Sequence, residues 1–245
     1  MQMNKRIKSV LGFTCLIIAI SINAYAIDPG FMDALSSDDR PMEAKVRDGI
    51  RRPFQVMNLM GIESGMTVVD VEALGGWYTE VLSAAVGPTG KVISQVGPRA
   101  LRDNNGAPSI AQAERLGNVD LVFEEMSGIP ANSADMALTA LNLHDHYIFF
   151  GGDEGAINYL QSIYNVLKTG GTAVIIDYVG LEGMDNNELH RTSVANAKRF
   201  IETVGFEIVT ESDILQTNAD DHTLPIRDPI LGGHVDRFLF VVRKP

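Results

Sequence analysis

The chain has 245 residues, 45% of them hydrophobic and 21% charged, with a net charge of -11 at pH 7. That acidic balance, with no basic stripe, excludes the electrostatic attraction that holds nucleic acid and anionic membrane surfaces. A lone cysteine, Cys15, excludes a disulfide framework.

The first residues read as an address. Lys5, Arg6 and Lys8 form a basic start, residues 10–21 an apolar run, and Ala24-Tyr25-Ala26 a small-x-small cleavage signature. That pattern predicts a signal peptide over residues 1–26, cut after Ala26, and a periplasmic or secreted product. The apolar run falls short of the ~20 residues a spanning helix needs. The remaining chain carries no cysteine, which suits an oxidising compartment. It is expected to form a single domain over residues 27–245, without membrane attachment after cleavage.

Residues 27–40 (IDPGFMDALSSDDR) are polar, hold Pro and Gly, and read as a loose arm. Residues 41–60 have a helical pattern interrupted before Pro53. A strand over 67–71 opens the main fold, followed by a helix over 77–86, whose apolar residues recur at helical spacing. Strands are predicted over 92–96, 119–123 and 136–143, with a loop over 97–109 and a short helix over 110–116 between them. A helix over 155–167 stops at Lys-Thr-Gly-Gly, as a glycine after a last basic turn should stop it. A fully apolar strand follows over 172–178. A helix over 193–204 and strands over 207–211 and 237–243 close the chain. Apolar strands separated by helices predict a parallel sheet covered on both faces. Such sheets hold ligands beyond the carboxyl ends of their strands. The loops after residues 71, 96, 123, 143 and 178 should therefore line one crevice.

Within that crevice, "VVDVEALGGWYTE" (68–80) is strand, glycine loop and helix start. Gly75 and Gly76 permit close backbone approach, and the helix start near Trp77 offers free N–H groups to an anion. Asp70 and Glu72 stand at the strand end, where a carboxylate meets an ammonium or hydroxyl. The loop is either a cofactor cradle or a plain turn. No dinucleotide fingerprint of G-x-G-x-x-G type is present, which disfavours a nicotinamide oxidoreductase. All five histidines lie beyond residue 143, and "NLHDHY" (142–147) leaves a strand directly into the crevice. His144, then Asp145, are the candidates to take a substrate proton, unless the loop only caps strand and helix. His144, Asp145, His146, Asp177, His190, Asp220, Asp221 and His222 fall near the same rim. Their spacings (H-x-H, D-D-H) are common by chance, and no metal is expected. "NADDHT" (218–223) is either a lid or, preferably, a solvated loop. Arg191 either holds an anionic substrate group or pairs with a surface acid.

The order "GMTVVDVEALGGWYTEVL" (65–82), "NVDLVFEEMSGIPANSADMALTALNLHDHY" (118–147) and "VLKTGGTAVIIDY" (166–178) resembles class I S-adenosylmethionine-dependent methyltransferases. With "LHR" (189–191), "NADDHT" and the closing "DRFLFVVRKP" (236–245), the chain is similar to exported methyltransferase-like proteins. The resemblance implies a three-layer α/β fold: a mostly parallel seven-stranded sheet with helices on both faces and an antiparallel last strand. It implies S-adenosylmethionine as cofactor. Asp70 matches the acid ending the first strand, Gly76 (with Gly75 beside it) the last cofactor-loop glycine, Glu125 the acid facing the adenine amino group. Asn142 falls near the methyl-donor sulfur. Glu72 and Leu74 replace the two earlier glycines, and Val96 stands where an acid usually holds the ribose hydroxyls. Glu72 either replaces that acid or obstructs the cofactor. The implied function is methyl transfer to a small molecule; the alternative is a non-catalytic ligand-binding module that keeps the fold with an altered loop.

Overall fold

The computed structural model describes residues 26–102 and 104–245, so the expected signal peptide lies almost wholly outside the described residues. Strand β1 (Thr67–Val71) is flanked by β2 (Lys91–Gln95) and β4 (Ala134–Ala140), with β3 (Val119–Val122) outside β2. Beyond β4 lie β5 (Leu167–Gly180), β8 (Arg237–Arg243) and β7 (Glu207–Ser212). The order is β3-β2-β1-β4-β5-β8-β7, and a two-residue strand β6 (Thr192–Ser193) adds an eighth member beside β5. All pairings are parallel except those of β8, which runs against both β5 and β7. The strand order reverses between β1 and β4, the topological switch where sheets of this kind bind ligands.

The strands are apolar on both sides because both faces are covered. On one face Val68, Val92, Leu138, Val174 and Val241 pack with α1 (Phe31–Ser36), α3 (Pro53–Met60) and α4 (Trp77–Val86). On the other Val69, Val71, Ala137, Ile175 and Phe240 pack with α7 (Asp153–Val166) and α9 (Val194–Val204). The result is the expected three-layer α/β architecture with an antiparallel strand.

Three local expectations are corrected. The arm over 27–40 is not loose: Phe31 and Leu35 are buried within α1, and Asp28 N donates to Ala85 O at 2.9 Å. The fourth strand ends at Ala140 rather than 143. Leu141 takes φ 67, and Leu143–Phe149 form helix α6, with Leu143 and His144 buried. Lys168 to Gly171 do not end a helix before a loop; they belong to β5, which starts at Leu167 and shifts register opposite Ala134/Met136.

Candidate active site

The loop leaving β1 is built as a cradle. Glu72, Leu74 and Gly76 take φ of 49, 38 and 66, so left-handed backbone recurs at alternate positions. Only Gly76 adopts it freely; a left-handed non-glycine residue costs about 1–2 kcal/mol. Tertiary bonds hold the shape. Ala73 N donates to Gln95 O (2.8 Å), Glu72 N to Gln95 Oε1 (2.9 Å) and Gly76 N to Ala73 O (2.8 Å). Gln95 Nε2 also donates to Glu124 O at 3.0 Å, tying the β1, β2 and β3 loops together. A Cβ added at Gly75 would meet nothing within 4 Å, so the cradle is open there. At Gly76 it would collide with the Gln112 side chain. Helix α4 begins at Trp77 with no side-chain cap.

Below the loop, Asp70 is buried and its Oδ2 accepts from Thr79 Oγ1 at 2.6 Å. Burial pushes its carboxyl up to about 7, against the opposing effects of that hydrogen bond and the Arg51 charge. Arg51 lies 4.9 Å from the Trp77 ring centroid and 5.5 Å from that of Tyr78.

The crevice has two chambers. One, of about 300 Å³, is bordered by Arg47, Arg51, Asp70, Gly75 and Tyr78. The other, of about 220 Å³, is bordered by Val96, Arg99, Arg102, Glu125, Asp145 and His146. Glu72, Leu74 and Asn142 border both and form the partition. Glu72 Oε1 lies 2.9 Å from His146 Nε2, and the His146 ring stacks on Tyr159 (centroids 3.8 Å apart, planes at 12°). Asn142 Nδ2 donates to Val71 O at 3.3 Å, bracing β4 against β1. Glu125 is exposed on the crevice lip, and Val96 is buried in its wall.

His144 stands behind that wall. Its backbone N donates to Asp177 Oδ2 (2.8 Å), its Nδ1 lies 2.7 Å from Asp177 Oδ1, and its Nε2 lies 3.2 Å from Asp145 Oδ1. Burial alone would lower its pKa; the Asp177 and Asp145 carboxylates outweigh that and raise it to about 10. His190 Nε2 reaches the same Asp145 oxygen at 3.2 Å. So Asp145 borders a chamber, while His144 is buried with both ring nitrogens toward carboxylates. "NADDHT" is a largely exposed loop, as preferred, anchored by one buried residue. Asp220 is buried against Arg191 through two bonds of 2.9 Å, and His222 pairs with Asp236 at 2.8 Å. Arg191 therefore faces neither a substrate nor a surface acid.

Three residues of the site, Arg47, Arg51 and Gln95, escape sequence reasoning, as does the pairing of Glu72 with His146. Arg47 and Arg51 belong to α2 (Met42–Arg51), outside the strand-end loops, and only the fold brings them over the cradle. Gln95, the last residue of β2, carries a signal by its place, next to where an acid was sought at Val96.

No protein-family model matches the chain, and neither does any curated protein. Solved structures do match. A S-adenosylmethionine-dependent methyltransferase from Aquifex aeolicus is 20% identical over 84% of this chain and 99% of its own, with a TM-score of 0.60. The [4+2]-cyclase SpnF is 16% identical over 80% and 81%, with a TM-score of 0.57. A protein from Bordetella parapertussis, titled a possible exported protein, is 14% identical over 82% and 68%, with a TM-score of 0.55. The fold is thus that of class I methyltransferases, and the crevice lies at the carboxyl ends of its parallel strands.

Proposed function

We propose that the crevice binds S-adenosylmethionine and that the protein, exported with residues 27–245 as one unit, transfers its methyl group to a small molecule. The observation that carries this is the β1 cradle. It keeps the left-handed backbone at Glu72 and Leu74 despite the strain, leaves the Gly75 face open, and aims an uncapped helix start at the larger chamber. Strain kept at a ligand edge points to a function that requires the shape.

The residues fit the cofactor. The α4 start and Arg51 suit a carboxylate, and Asp70 suits an ammonium, so the larger chamber matches an amino-acid zwitterion. Glu72, at the partition, takes the part of the missing ribose acid: a carboxylate between the chambers accepts two hydroxyls. Glu125, on the lip of the smaller chamber, accepts from the adenine amino group, and buried Val96 keeps that wall dry. When bound, the sulfonium supplies an electrophilic methyl group. The chain's own task is then to hold an acceptor in line, since positioning dominates such transfers. Asn142 and Asp145 form the wall where an acceptor would be held, with Asp145 taking its proton and His144, braced by Asp177, fixing Asp145 from behind. No described helix is long and apolar enough to cross a membrane. The absence of any separate substrate domain among the described residues favours a small acceptor.

One observation favours the second reading, a binding module without turnover: two side chains, Glu72 and Leu74, stand between the chambers where glycines leave room. Calorimetry with S-adenosylmethionine and with S-adenosylhomocysteine tests both. Binding of both ligands, with S-adenosylhomocysteine released over a panel of small hydroxyl, thiol and amine acceptors, supports methyl transfer. Heat absent for both ligands at millimolar concentration overturns it and leaves the module that kept the fold without the cofactor.

A further inference from the structure

Behind the crevice wall, three side chains converge on one point: His144 and Asp145, which also serve the proposed transfer, and His190, which it does not use. His144 Nε2 and His190 Nε2 each lie 3.2 Å from Asp145 Oδ1, and one ligand atom from each residue falls within 4.8 Å of the others. The elements holding them are distant in sequence: α6 supplies His144 and Asp145, and the turn after α8 (Asn186–Leu189) supplies His190. His190 is held there at φ 60 as the left-handed cap that ends α8.

The hydrogen bonding of this group is incomplete. Asp177 receives His144 N on Oδ2 and Tyr178 N on Oδ1, so it is an acceptor, and His144 Nδ1 must carry a hydrogen toward it. When it carries no proton of its own, the far nitrogen, Nε2, presents a lone pair toward the Asp145 carboxylate. An acceptor facing an acceptor needs a cation between them, a proton or a metal ion. Asp145 Oδ1 is buried and accepts no hydrogen bond, although two imidazole nitrogens are 3.2 Å away. Neither ring aims an N–H at it.

The spacing supplies the magnitude. Zinc bonded to imidazole and carboxylate at 2.0–2.2 Å in a tetrahedron separates its ligand atoms by about 3.3 Å. Both measured edges are 3.2 Å. Asp177 on the Nδ1 side completes the carboxylate–histidine–metal arrangement that fixes tautomer and ring orientation. Two carboxylates outweigh the one guanidinium, Arg227, whose charge also reaches Asp145. We propose that His144 Nε2, Asp145 Oδ1 and His190 Nε2 bind a divalent transition-metal ion of the zinc class, with Asp177 orienting His144. Two nitrogens and one oxygen leave at least one coordination position free, as in catalytic rather than structural sites. The site stands whether or not the crevice binds S-adenosylmethionine.

The test uses the full purified chain, freed of metal with a chelator and titrated with Co²⁺. The proposal expects one ion per chain, a visible absorption band of low-symmetry Co²⁺, and its loss when Zn²⁺ is added. His190→Ala should weaken Zn²⁺ binding tenfold or more, and Asp177→Asn by about 10–100-fold. His222→Ala, which touches the Asp236 pair instead, should leave binding unchanged. Thermal melting with and without Zn²⁺ separates a folded variant that has lost its metal-dependent shift from one that has not folded. No Co²⁺ band, or a band that survives both His190→Ala and Asp177→Asn, overturns the proposal.

Discussion

Glu72 Oε1 and His146 Nε2 meet at 2.9 Å across the middle of the crevice, joining the end of β1 to α6. The pair stands where the two chambers touch, and both partners remain partly accessible, at 32% and 18% for their side chains. A carboxylate already held by a neutral or charged imidazole can exchange that partner for a ligand hydroxyl without large desolvation.

If Glu72 holds the ribose, Glu72→Ala should weaken S-adenosylhomocysteine binding by about 1.5–3 kcal/mol, the value of a hydrogen bond to a charged group, or roughly ten- to a hundredfold. Calorimetry reads this directly. Equal or tighter binding would mean that Glu72 obstructs the cradle.

Leu74 is 60% exposed at φ 38. Leu74→Gly relieves about 1–2 kcal/mol of left-handed strain and returns about 0.4–1 kcal/mol through the freer unfolded chain. Denaturant unfolding should therefore find the variant as stable as the parent or up to about 1.6 kcal/mol more stable. A loss above about 1 kcal/mol would show that the side chain packs against something.

Asp70 links stability to pH. Its folded pKa is raised to about 7 from a usual 3.8 by burial. The folded state therefore binds more protons than the unfolded state between about pH 4 and 7. Stability from this group is present at the acid end of that window and falls as pH rises through it, by on the order of 4 kcal/mol. Asp70→Asn keeps an acceptor for Thr79 and removes the titration. The stability difference between parent and variant should grow in the variant's favour from pH 4 to 7; a constant difference contradicts the assignment.

Arg191 and Asp220 are both fully buried in their side chains, and Asp220 also accepts from His222 N and Asp236 N. Asp220→Ala strands a buried guanidinium and should cost about 3–5 kcal/mol in chemical unfolding. A loss under 1 kcal/mol would show that the buried pair does not anchor this loop.

Much of the fold is legible because parallel strands covered on both faces must be apolar throughout. "TVVDV", "KVISQ" and "AVIID" carry that signal, and the glycines after residues 60, 86 and 204 mark helix ends. The misplaced elements share a cause. Phe31 and Leu35 sit among Ser and Asp, and only docking against α4 makes them core. Leu143 continues an apolar run that reads as strand, but Leu141 turns left-handed and starts α6. The strand-end acids and glycines of the site are legible through the β1 pattern. Arg51 over the cradle, and His190 beside Asp145, are not, because no local spacing relates them to the residues they face.

The most direct measurement is calorimetry of S-adenosylhomocysteine binding to the parent, Gly75→Ala and Gly75→Leu. A Cβ at Gly75 meets no protein atom within 4 Å, so the Ala variant should keep its fold, and thermal melting shows whether the Leu variant does too. The account predicts binding by the parent, weaker binding with Ala, and none with Leu. Binding that Gly75→Leu leaves intact, or a parent that binds nothing, contradicts a cofactor seated on the β1 cradle.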